Sequence, residues 1–163
     1  MYLTNVIIAV GSNVGNFTIN FQNAFKEISK FSKIRSIGNI YISKPYGFNN
    51  QKDFYNTAIE ILTVCQPIEL LTRLESIEKK LIKNKKIING PRKIDLDIIF
   101  YGNKIFKSEK IEIPHPRAIA RDFVLKPILD IKPFYRHPVT KLTIKESLSK
   151  VESNYITKSL NRR

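Results

Sequence analysis

The chain predicts an α+β fold of the ferredoxin-like, split βαβ kind: a two-layer sandwich in which helices pack on one antiparallel sheet. Three observations carry this. Apolar, β-branched runs alternate with two stretches of helical periodicity in the order strand, helix, strand, strand, helix, strand. Turn residues such as Gly11-Ser12-Asn13 and Gly102-Asn103 close the first and the central strand runs. No internal repeat and no linker-like stretch interrupts the 163 residues, a length at which one domain buries most of its unfolded-state surface. One domain over 1–163 is expected, with a frayed tail from about residue 150.

The elements follow in order. Asn5 to Val10 is a buried-strand run that ends at Gly11-Ser12-Asn13. Gly11 to Gly15 has no Gly-Lys-Ser/Thr after it, so it is a strand-to-helix turn and not a nucleotide P-loop. Asn16 caps a helix whose Phe17, Phe21, Ala24, Phe25, Ile28 and Phe31 recur at helical spacing and form a core stripe. Ile34 to Ile42 alternates weakly as a second strand. Ser43 to Asp53 is a long polar loop, a kind that is often functional. Phe54 to Thr63 is a third strand, with Phe54, Asn56, Ala58 and Glu60 on one face. A ring and an amide together either receive a planar heterocycle or serve as core and sheet-edge residues. Pro67 opens a second helix with Leu70, Leu74, Ile77 and Leu81 buried and with Glu75 and Glu78 in solvent.

The central stretch is Gly90-Pro91-Arg92-Lys93-Ile94-Asp95-Leu96-Asp97-Ile98-Ile99-Phe100. Read as a strand, it sets Ile94, Leu96, Ile98 and Phe100 on one face and Asp95 and Asp97 on the other. Asp is disfavoured in strands, and two adjacent carboxylates repel. Either they hold Mg²⁺, which takes one or two carboxylates with waters and phosphates, or they form a solvated edge. A basic loop, Lys83-Asn84-Lys85-Lys86, precedes them and suits triphosphate oxygens. Beyond lie a short strand at Ile111 to Ile113, the corner Pro114-His115-Pro116-Arg117 and a buried helix from Phe123. Arg117 and Arg121, one turn apart, are placed to clamp a phosphate together. Thr143 and Glu146 make a capping box for a last helix.

Composition excludes several classes. Apolar residues at 42% and charged ones at 26% fit a globular chain and not a disordered one. No apolar run reaches membrane-spanning length, and no signal-peptide pattern opens the sequence. The single Cys65 excludes an internal disulfide framework and points to a reducing compartment, so cytoplasm is expected. A net charge of +14 favours a polyanionic partner. The charge is scattered along the chain, however, and lysine-rich in a way that looks like codon bias.

Several motifs together resemble the 6-hydroxymethyl-7,8-dihydropterin pyrophosphokinase family. They are Ala9-Val10-Gly11-Ser12-Asn13, Phe54-Tyr55-Asn56, Gly90-Pro91-Arg92-x-x-Asp95-Leu96-Asp97-Ile98, and Pro114-His115-Pro116-Arg117-x-x-x-Arg121-x-Phe123-Val124-Leu125. The resemblance runs from about residue 5 to about residue 135, and the family's fold is the ferredoxin-like one. It implies transfer of pyrophosphate from ATP to the pterin's hydroxymethyl group, with release of AMP, as a step of folate biosynthesis. It further implies that Asp95 and Asp97 hold two Mg²⁺, and that Asp95, Asp97, Arg92 and Lys83 serve the chemical step. Ser43, Tyr46, Phe54, Asn56 and Phe123 then bind the pterin, while Lys83, Lys85, Arg92, Ile98, His115 and Arg121 bind the nucleotide. A monomer with no nucleic-acid partner and no membrane is implied. Two departures stand out: Ile82-Lys83-Asn84-Lys85 replaces the frequent Arg-x-Arg, and Asn89 replaces a frequent Trp. Lysine keeps the charge there but loses the bidentate fork. A metal-dependent nuclease is the main competing class, and it predicts salt-sensitive binding of DNA or RNA.

Overall fold

The computed structural model describes residues 2–81 and 90–161. Its elements are β1 (Thr4–Ser12), α1 (Phe17–Ile28), β2 (Lys33–Ile37), β3 (Ile40–Ser43), β4 (Phe54–Thr63), α2 (Pro67–Leu81) and β5 (Asp95–Tyr101). Then come β6 (Phe106–Lys107), β7 (Glu112–Ile113), a 3₁₀ turn at Ala118–Ala120, α3 (Asp122–Ile131), α4 (Ile144–Ser149) and β8 (Ile156–Leu160). The main sheet runs β5-β1-β4-β3-β8, with β2 also on β4, and every pairing in it is antiparallel.

The alternation of β1 decides how the sheet is covered. Val6, Ile8 and Val10 face α1 and α2, where they meet Phe21, Ala24, Ile28, Leu70, Leu74 and Ile77. Ile7 faces the other way and joins Ala58, Ile99 and Phe100 under Val124, Leu125 and Ile128 of α3 and Ile144 of α4. The antiparallel α+β plan therefore stands, and α3 and α4 add a further layer on the second face. The α1 cap is Asn16, whose side chain accepts from the Ile19 N–H at 3.2 Å. The α4 capping box is complete.

Four local expectations are corrected. The single strand over 34–42 is two strands, β2 and β3. At the break, the Asn39 N–H leaves the ladder and donates to the Asp130 carboxylate (3.1 Å), while Gly38 lets α3 come close. In β5 a bulge opposite Ile7 and Ile8 turns Phe100 onto the second face, so strict alternation fails there. Glu78 is buried, 5% exposed, and accepts the Leu96 N–H at 3.2 Å. The short strand expected at Ile111 to Ile113, by contrast, is present as β7 and pairs with β6. The tail from residue 150 is not frayed throughout, because β8 pairs with the free edge of β3. Its entry is fixed by the Asp122 carboxylate, which accepts the N–H groups of Tyr155 (2.9 Å) and Ile156 (3.0 Å).

A Cβ on Gly38 would sit 2.7 Å from the Pro127 carbonyl oxygen, which cannot swing aside as a side-chain tip could. Gly38→Ala is therefore expected to lower stability by about 1–3 kcal/mol through forced backbone movement. Urea unfolding measures it, and an unchanged midpoint would show that α3 does not press on this break.

Candidate active site

The uncovered part of the second face forms a cavity of about 440 Å³. Its floor follows from strand register. Gly11 of β1 sits between Asp95 of β5 and Asn56 of β4, and Ala9 sits between Asp97 and Ala58. Adjacent strands lie about 4.8 Å apart, so the acidic pair and the Asn56 amide are separated by roughly 10 Å of floor. Only small residues occupy that interval. A Cβ on Gly11 would fall 3.6 Å from Asn56 Oδ1, 3.7 Å from Phe54 Cδ1 and 3.9 Å from Asp95 Cβ, filling the space a ligand would use.

At one end of the floor the two carboxylates stand beside a set of cations. Arg92 Nη1 donates to Asp95 Oδ1 at 3.0 Å, and Arg117 and Arg121 also line the cavity. Burial raises the Asp97 pKa well above the ordinary carboxylate range; the neighbouring Asp95 charge adds to this, and Arg121, Arg92 and Arg117 oppose it. A deprotonated pair is costly there unless a cation joins it. Among the described residues no group of three or more His, Cys, Asp or Glu side chains could hold a metal alone. Two hard oxygen donors in a cavity open to phosphates nevertheless fit Mg²⁺, whose remaining positions go to water and substrate. A closed site for Zn²⁺ would need more protein ligands.

The Arg92 segment is held by a side chain that sequence reasoning quoted only as part of a motif. Asn13 Oδ1 accepts the Arg92 N–H (2.8 Å), and the Asn13 N–H donates to the Arg92 carbonyl (2.9 Å). Asn13 Nδ2 donates to Gln51 Oε1 and to the Lys52 carbonyl, both at 2.9 Å. One amide therefore ties the 43–53 loop to the strand that carries the acids. Arg121 is placed differently: its guanidinium lies 4.3 Å from the Tyr46 ring centroid and 5.9 Å from that of Phe123. Its Nε is buried without a hydrogen-bond partner, a donor aimed at no protein group.

The opposite end is apolar and amide-lined. Phe54, Asn56, Ser43, Tyr46 and Phe123 all line the cavity, as expected. Asn56 Nδ2 is used internally, donating to Ser43 Oγ (2.9 Å) and to the Tyr41 carbonyl (3.1 Å), which turns Oδ1 toward Gly11. A flat ring that carries donors on its edge fits between such groups.

Of the remaining expected residues, Asp95, Asp97, Arg92, His115 and Arg121 all line the same cavity. Lys83 and Lys85 lie outside the described residues. Ile98 is corrected: its side chain is buried in the core against the α1 and α2 side, away from the cavity. Lys44 and Thr57 line the cavity without having been singled out, and no signal beyond their neighbours marks them.

His115 takes its place through main-chain contacts. Its N–H donates to the Ile99 carbonyl (3.0 Å), and its Nδ1 accepts the Arg117 N–H (3.2 Å), so the neutral ring carries its hydrogen on Nε2. Burial, then the charges of Arg121 and Arg117, push its pKa down to about 4, against a weaker pull from Asp95. The folded state thus disfavours the imidazolium. His115 contributes no pH dependence to stability above its ordinary value of 6.5, and stability falls as the pH drops from there toward 4. An NMR titration of the ring protons, assigned with His115→Ala, is expected to give a midpoint below 5; a midpoint near 6.5 would contradict this environment.

Comparison with known proteins identifies the family and the fold. A family model described as 7,8-dihydro-6-hydroxymethylpterin-pyrophosphokinase matches residues 7–133. The folic acid synthesis protein fol1 of Pneumocystis carinii is 46% identical over 147 residues, which cover 90% of this chain and 20% of that protein. A 2-amino-4-hydroxy-6-hydroxymethyldihydropteridine pyrophosphokinase of Aquifex aeolicus is 33% identical over 144 residues, covering 88% of this chain and 90% of that one. The crystal structure of wild-type Plasmodium falciparum HPPK-DHPS superposes with a TM-score of 0.71 at 16% identity, over 91% of this chain and 45% of that one. At that identity the likeness establishes the fold alone. The chain spans about one fifth of the length of the fol1 proteins it matches.

Proposed function

The chain belongs to the 7,8-dihydro-6-hydroxymethylpterin-pyrophosphokinase family, and we propose that it moves the terminal pyrophosphoryl unit of ATP to the hydroxymethyl group of 6-hydroxymethyl-7,8-dihydropterin, releasing AMP. The observation that carries the reading is the two-ended cavity. Paired carboxylates ringed by guanidiniums stand at one end, a ring-and-amide pocket at the other, with a small-residue floor between them. The reaction needs that arrangement, because a charged donor and a flat acceptor must meet in line.

Asp95 and Asp97 are the residues to hold Mg²⁺, two ions with ATP. Bound there, the metal would neutralise charge on the β-phosphoryl group and polarise the substrate hydroxyl. Arg92 grips Asp95 through Oδ1 alone, which leaves Oδ2 free for a metal. Arg121 and Arg117 bring guanidinium charge to the triphosphate from the cavity wall. Neutral His115 presents Nε2–H as a hydrogen-bond donor and keeps the site free of a further cation. Phe54 and Phe123 flank the pterin, while Asn56 and Ser43 take its edge. No side chain is assigned as general base; positioning and charge neutralisation supply the rate. Lys83 and Lys85 are proposed to supply positive charge to the phosphates.

No helix among the described residues is long and apolar enough to cross a membrane. A cytoplasmic, reducing setting fits the buried free thiol of Cys65.

Incubation of the protein with ATP tests the reading. With Mg²⁺ and the hydroxymethyl dihydropterin, AMP and the pterin diphosphate are expected in equal amounts, and neither is expected in EDTA or without the pterin. Release of ADP, or nucleotide breakdown indifferent to the pterin, would contradict it.

A further inference from the structure

Tyr155 does not line the cavity, yet its ring packs on two side chains that do. Its centroid is 5.5 Å from that of Tyr46, tilted at 55°, and 5.8 Å from that of Phe123 in an edge-to-face contact at 79°. The two partners come from distant parts of the chain: Tyr46 from the loop after β3, Phe123 from the first turn of α3.

The main chain of Tyr155 is fastened to the same two places. Its N–H donates to Asp122 Oδ2 at 2.9 Å, an oxygen shared with the Ile156 N–H at 3.0 Å. Asp122 itself is buried, and its other oxygen accepts the Phe123 N–H at 2.8 Å. The Tyr155 carbonyl accepts the Lys44 N–H at 2.9 Å, and the next residue begins the pairing of β8 with β3 at Ser43. One residue is thus pinned to β3 on one side and to the start of α3 on the other, with its ring wedged between the rings those segments carry.

We propose that Tyr155, held by β8, is a positioning residue for the pterin end of the cavity, acting through Phe123 and Tyr46 and touching no substrate. Aromatic edge-to-face contacts fix a ring's orientation as well as burying area. A stacking pocket is only as well formed as the packing behind its walls. Without the wedge, Phe123 and Tyr46 gain rotamer freedom, and a flat ligand must restrict it on binding. At the phosphate end, Arg92 and the β5 carboxylates of Asp95 and Asp97 make no contact with Tyr155; Arg121, whose guanidinium lies over the Tyr46 and Phe123 rings, links the two ends, so a smaller effect is expected there.

The inference rests on the pterin reading above. Its test compares Tyr155→Leu, which keeps an apolar side chain but loses the flat ring, with Tyr155→Phe. Binding of 6-hydroxymethyl-7,8-dihydropterin is followed by fluorescence with Mg²⁺ and a non-hydrolysable ATP analogue present, and binding of the analogue is measured alone. The Leu variant is expected to weaken pterin binding about fivefold, and the analogue by less than about twofold, while the Phe variant binds both as wild type does. Asp122→Asn, which removes one carboxylate acceptor but leaves the ring in place, is expected to weaken pterin binding in the same direction. Unchanged pterin affinity in the Leu variant, or an equal fall for both ligands, would overturn the role of Tyr155 alone. Failure of the wild-type chain to bind the pterin at all would overturn the functional reading with it.

Discussion

Two carboxylates on one face of a short strand repel each other, and burial makes the repulsion worse. Asp95 and Asp97 are in that position, and most of the second face is arranged around them. The strand that carries them is anchored from behind, where Leu96 and Ile98 are buried in the larger core and the Leu96 N–H meets the buried Glu78. It is anchored at its start by Asn13, which holds Arg92. Arg92, Arg117 and Arg121 line the same cavity as the pair. The price of keeping such charges out of water is carried by two hydrophobic clusters, one on each side of the sheet. An arrangement that is unfavourable by itself would become favourable on binding the proposed cation and polyanion.

The small residues of β1 convert that electrostatic feature into a site. Had Ala9 and Gly11 been large, the floor between the acids and Asn56 would be packed shut, and the two ends could not serve one reaction. The 43–53 loop and the start of α3 close the far end; Asn13 ties the loop to the Arg92 segment, and the Tyr155 ring packs between Tyr46 of the loop and Phe123 of α3. Both links are made by residues that do not belong to the chemistry. This is how a cavity lined by residues from across the chain keeps one shape.

The sequence made legible what depends on local pattern. The face shared by Asp95 and Asp97, the α1 stripe, the Asn16 cap and the Thr143 capping box all follow from periodicity or from hydrogen bonds a few residues long. What it hid depends on partners far away. Gly38 and Asn39 break a strand because α3 presses there and Asp130 draws off an N–H. Phe100 changes face because β1 pairs with a bulge. Glu78 looked solvated by helical spacing and is buried because β5 needs an acceptor. The tail carried little strand signal, and β8 forms because β3 has an unpaired edge and Asp122 offers a carboxylate. Ile98 was assigned to the nucleotide by motif position, but alternation on β5 turns its side chain into the core.

Metal binding by the acidic pair is tested most directly by Mn²⁺ titration followed by electron paramagnetic resonance, with a non-hydrolysable ATP analogue present. Two Mn²⁺ per nucleotide-loaded chain are expected, with loss of at least one in an Asp97→Asn variant that keeps its fold. Wild-type stoichiometry and affinity in that variant would contradict the central role of the paired carboxylates.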